Sequence, residues 1–112
     1  MRPNPKRLNP LQLRTLTLLQ ALAREQAFAD PPEPDGTVSI HTLPPAHGDH
    51  FHVGPVVVSV RDATGLGNPN VLNALARKGL LLAGRTDRPA LTAEGLVYDT
   101  GIAAEILQGV DH

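Results

Sequence analysis

Apolar positions fall into a few separable patterns along the chain. Leucines at 11, 16, 18, 19 and 22 share one broad face at about 100° per residue, and Leu13 with Ala21 leave the opposite side only half polar. Asn9-Pro10 supplies a cap acceptor and a first residue with no amide to lose, so a helix is expected from Pro10 to Ala27. A stripe this wide wants cover on more than one side. It predicts either a central core helix or one whose second edge packs on another copy of the chain. The segment Asp30-Pro31-Pro32-Glu33-Pro34-Asp35-Gly36 follows as a stiff loop, because three prolines fix their dihedrals and Asp-Gly signals a turn. Alternation in 37–42 and again in 50–53 predicts two short strands, the simplest arrangement being a pair.

Residues 55–64 pull in two directions. Four β-branched valines at 56, 57, 58 and 60 favour a strand, whereas Gly54-Pro55 reads as a helix entry and Asp62-Ala63-Thr64-Gly65-Leu66 as a helix closing on glycine. The expectation adopted is a helix over 55–64. Asn68-Pro69 then repeats the cap of Asn9-Pro10, and Gly79 stands where a helix C-terminal glycine belongs. With Asn70 placed at 0°, Val71, Leu75, Gly79, Leu72 and Ala76 occupy roughly 100–240°, and Asn73, Arg77, Ala74 and Lys78 fill the remainder. Beyond it, Leu80-Leu81-Leu82-Ala83 and Pro89-Ala90-Leu91 flank the polar turn 84–88, a hairpin pattern. Thr92 caps an expected last helix reaching Leu107.

The net charge of −1 conceals a segmented distribution. Residues 1–26 carry Arg2, Lys6, Arg7, Arg14 and Arg24 against Glu25, and residues 55–92 carry Arg61, Arg77, Lys78, Arg85 and Arg88 against Asp62 and Asp87. The segments 27–54 and 93–112 hold acids and no lysine or arginine. Folded together, the basic segments can form one cationic face. The chain has no cysteine, which removes disulfides, thiolate nucleophiles and sulfur-ligated zinc. The basic start lacks the apolar run of a signal peptide, and the expectation is a cytoplasmic protein with no membrane association.

The succession of helix, turn, polar-faced helix, basic hairpin and helix resembles the winged helix-turn-helix superfamily, in the arrangement of the MarR-type transcriptional regulators. The resemblance rests on Asp62-Ala63-Thr64-Gly65-Leu66, on Val71, Ala74-Leu75 and Lys78-Gly79-Leu80-Leu81, and on Leu91-Thr92-Ala93-Glu94-Gly95. It covers about residues 55–100. It implies an α+β winged helix-turn-helix protein with an N-terminal helix, a small hairpin and a C-terminal helix. One domain spans 1–112: a flexible basic N-terminus over 1–9, a Pro/His-rich loop and hairpin over 29–54, the helix-turn-helix and wing over 55–92, and the last helix over 93–108. The wing is short for the family, and the 37–54 segment is longer and richer in histidine than the family usually places there.

Residues 68–79 carry the chemistry of a recognition helix. Asn bonds adenine bidentately, Arg does so with guanine, and Lys neutralises phosphate. The expected DNA-binding set is Asn68, Asn70, Asn73, Ala74, Arg77 and Lys78, with Arg85 and Arg88 from the wing at 84–89. The expected partners are double-stranded DNA and a second copy of the chain. A rival reading is a winged-helix module that binds protein and not DNA. His41, His47, His50 and His52 form a second cluster, in which His50 and His52 share one face of a strand. Three imidazoles suit zinc or another divalent metal, and imidazole also titrates near neutrality, so a metal- or pH-responsive regulator is a further alternative. No cofactor is otherwise expected. Enzymatic activity is not expected either: Ser39 and Ser59 lack a glycine elbow, and Gly65-Leu66-Gly67 lacks the third glycine of a dinucleotide site.

Overall fold

A computed structural model describes residues 3–46, 48–85 and 87–109. Its axis is helix α1 (Pro10–Ala23). Asn9 accepts the Gln12 amide at 2.8 Å while the Gln12 side chain accepts the Asn9 amide at 3.0 Å, a reciprocal capping box. The helix closes at Arg24, short of Ala27, with the cap amide turned back to Ala21 and Leu22. Every residue from Thr15 to Leu22 is buried. Polar atoms in that run are satisfied: Thr15 bonds the Leu11 carbonyl, Thr17 bonds the Leu13 carbonyl and the Thr100 hydroxyl, and Gln20 Nε2 donates to the Gly95 and Tyr98 carbonyls. Of the second apolar edge of α1, Ala21 is buried within its own chain and Leu13 is half-buried.

Two small antiparallel sheets flank this helix. Strand β1 (Val38–Ser39) pairs with β4 (Ala90–Leu91), and Leu81 bridges to Leu91 on the other side of β4. The Leu82 amide donates to the Ala90 carbonyl at 2.9 Å and the Thr92 amide to Leu80 at 3.1 Å, closing the hairpin expected around 84–88. The second sheet has the order β2-β3-β5, from His50–Val53, Val56–Ser59 and Gln108–Gly109. The strands expected near 37–42 and 50–53 both form, but in different sheets.

The helix expected over 55–64 is absent. Val56–Ser59 is strand β3, and a single 3-10 turn follows at Val60–Ala63. β-Branched side chains lose rotamer freedom in a helix and pack well on a pleated surface, and β2 supplies the edge that makes the extended form profitable. Phe51 opposes Val58 and Val53 opposes Val56 on the core face, while His52 opposes Val57 on the other. Gly54, at φ 56, and Pro55 make a two-residue hairpin connection and not a helix entry.

The last helix is also divided. Helix α3 (Ala93–Val97) ends at Tyr98, which is extended, and α4 (Ala103–Ile106) begins five residues later, before β5. Gly101 has φ 75 and its amide bonds the Asp99 carboxylate at 2.9 Å, a local turn that no helix continues through. The buried residues of α1, both sheets, α2 (Pro69–Arg77) and Ile106 form one core. The result is a small α+β fold of four α-helices and two antiparallel sheets among the described residues. No helix of the described residues is long and apolar enough to cross a membrane.

Candidate nucleic-acid interface

Helix α2 stands between a short turn and the 80–91 hairpin, held at both ends. Asn68 accepts the Asn70 amide at 3.0 Å. At the other end Gly79, at φ 80, donates to Ala76 at 3.0 Å and Leu80 donates to Leu75 at 3.1 Å, the paired bonds of a Schellman close. Val71, Leu72 and Leu75 are buried against the core. Asn70, Asn73 and Arg77 are exposed and, at about 100° per residue, fall within roughly 60° of one another on the outer face.

Three members of the expected set occupy other positions. Ala74 is buried, 9% exposed, because it lies toward the Val71 edge and not on the outer stripe. Asn68 has its side-chain oxygen occupied as the helix cap. Lys78 is half-buried and donates to the backbone carbonyls of Lys6 at 2.6 Å and Arg7 at 3.3 Å. Its charge faces a neighbouring segment and not open solvent.

That neighbour is the basic N-terminus, whose residues 4–8 are joined by hydrogen bonds to one another, to Tyr98 and to Lys78. The Asn4 side chain bonds both the amide and the carbonyl of Leu8, and Leu8 is 4% exposed. The Tyr98 hydroxyl accepts the Lys6 amide at 3.1 Å and donates to Asn4 Oδ1, and Lys6 Nζ pairs with Glu94 at 2.9 Å. These residues escape a reading that seeks regular elements. Their signals are a solitary Leu8 among polar neighbours and an Asn4-Pro5 turn dipeptide.

Arg85 and Arg88 are exposed on the hairpin loop. Arg88 lies 3.6 Å from the Asp30 carboxylate, and both arginines line an open cleft of about 400 Å³ with Asp30, Ser39 and Asp87. The acids beside them dilute the positive potential of the loop. Within the loop leading to β1, the Thr37 amide bonds the Asp35 carboxylate at 2.9 Å and holds its pKa below the ordinary aspartate value.

Among the described residues the histidines do not converge. His50 and His52 share the outer face of β2, their rings edge-to-face at 5.2 Å, and His50 Nδ1 lies 3.4 Å from Asp49. His41 is elsewhere, bonded to the Thr42 hydroxyl at 2.7 Å with Nε2 toward the Gln26 carbonyl at 3.4 Å. His47 lies outside the described residues. Among the described residues no three His, Cys, Asp or Glu side chains are grouped to hold a metal ion.

Comparison with protein-family models, with curated proteins and with solved structures finds no match for this chain.

Proposed function

We propose that this chain is a DNA-binding transcriptional regulator of winged-helix character, with α2 as the helix that enters the major groove. The reading rests on one observation above the others: Asn70, Asn73 and Arg77 form an exposed stripe on a helix whose opposite side is apolar, with Val71, Leu72 and Leu75 buried. Amide and guanidinium side chains in that array match the donor and acceptor edges of adenine and guanine. The order of α1, β1, α2, the Leu81 bridge, loop 83–89 and β4, with β4 central between β1 and Leu81, supports the winged-helix reading. In that reading the β2-β3 hairpin and the 3-10 turn stand where the first helix of a helix-turn-helix would lie. Arg85 in the loop supplies a phosphate contact, and Arg88 does so after parting from Asp30.

Fluorescence anisotropy with a labelled mixed-sequence duplex at two salt concentrations tests the proposal. Affinity is expected to fall steeply with salt, since phosphate neutralisation releases counterions. On a site selected from random duplex, Asn73→Ala and Arg77→Ala should each weaken binding by about 1–3 kcal/mol with little change in thermal stability. Salt-independent or absent binding would leave the fold as a protein-interaction module.

A further inference from the structure

We infer that the N-terminal strap, residues 4–8, is a second DNA-contacting element, a preformed clasp that holds Arg7 against the phosphate backbone beside α2. This rests on the proposed DNA reading and extends it to residues outside any helix or strand. Among the described residues Arg7 is the one non-glycine with positive φ, at 55. Left-handed backbone is disfavoured for a long side chain and natural for Gly or Asn. An outlier of this kind persists where its surroundings over-determine it.

The surroundings here do so. Arg7 donates its amide to the Asn4 carbonyl at 2.9 Å, closing a turn, and the Asn4 side chain ties that turn to Leu8 at both backbone atoms. Tyr98, following α3, grips Lys6 and Asn4 from one side, and Lys78, ending α2, grips the carbonyls of Lys6 and Arg7 from the other. Lys78 caps α2 directly after Arg77, so the strap meets the C-terminal end of the helix that carries the exposed stripe. Of the strap's cations, Lys6 is matched by Glu94. Arg7 is exposed and has no carboxylate partner among the described residues. Packing requires Leu8 and Asn4 but does not require arginine at a position glycine would occupy without strain. An exposed guanidinium on a hydrogen-bonded backbone segment next to the end of α2 suits a phosphate oxygen, because the ordering of the backbone precedes binding.

The experiment compares the parent, Arg7→Gly and Arg7→Lys by anisotropy on the same duplex across a salt series, with thermal unfolding in parallel. Each lost phosphate contact lowers the slope of log K against log salt by about 0.9. Arg7→Gly should lose about that much slope while its thermal midpoint does not fall, since glycine accepts the backbone without strain. Arg7→Lys should keep the parental slope. A parental slope in Arg7→Gly would overturn the inference and leave the strap a structural clasp, with the DNA reading intact. A parent that shows no salt-dependent binding would overturn both.

Discussion

At the residue scale, Thr92 and Gly95 explain why a Leu-Thr-x-x-Gly stretch opens α3. The Thr92 hydroxyl donates to the Gly79 carbonyl at 2.7 Å and accepts the Gly95 amide at 3.0 Å, so one side chain caps α3 and ties it to the close of α2. A Cβ on Gly95 would collide with the Leu80 carbonyl oxygen, which is backbone and cannot swing aside. Gly95→Ala is expected to cost about 2 kcal/mol or more, as overpacking against main chain does, and Thr92→Val about 1–2 kcal/mol from the lost cap. Urea denaturation measures both. Equal stability of Gly95→Ala and the parent would mean that α3 packs farther from Leu80.

At the element scale, the region after Gly54 shows how a partner edge decides between two local preferences. Val58 is fully buried opposite Phe51, whereas Val57 is half-buried opposite His52. Removing the two methyl groups of Val58 by Val58→Ala should therefore destabilise by roughly 2 kcal/mol, and Val57→Ala by less than half as much. Comparable losses at both positions in denaturant titrations would contradict the strand's two-faced burial. The C-terminal segment follows the same logic in reverse. Its 3.6-residue pattern is compatible with one helix, yet Gln20 draws in the Gly95 and Tyr98 carbonyls and β3 offers an edge to Gln108–Gly109. Those long-range bonds outweigh continuation of the helix.

At the scale of the whole molecule, α1 is enclosed by the elements that follow it in sequence. Sedimentation velocity at micromolar concentration is expected to give a monomer of 11.9 kDa, since the run Thr15–Leu22 of α1 is buried within the chain. A species near twice that mass would mean that copies join through another surface. Under the proposed DNA reading, a monomer presents one α2 and one strap, so a single half-site and not a palindrome would be its duplex target.

Local chemistry sufficed for much of this protein. Asn9-Pro10 and Asn68-Pro69 marked the starts of α1 and α2, Gly79 marked the close of α2, and 3.6-residue periodicity separated the outer stripe of Asn70, Asn73 and Arg77 from the buried one. These are contacts within a few residues, and a sequence specifies them directly. The partition of 50–63 into hairpin and 3-10 turn, the break after Val97, the burial of Ala74 and the capture of Lys78 by the strap were decided by tertiary structure. The break after Val97 and the capture of Lys78 depend on groups distant in the chain, Gln20 and the carbonyls of Lys6 and Arg7 seventy-two and seventy-one residues from Lys78, whereas the hairpin depends on β2, two residues before β3, and on β5 at its other edge. Local preferences in such segments are nearly balanced, and the long-range bond that tips them exists only once the chain has folded.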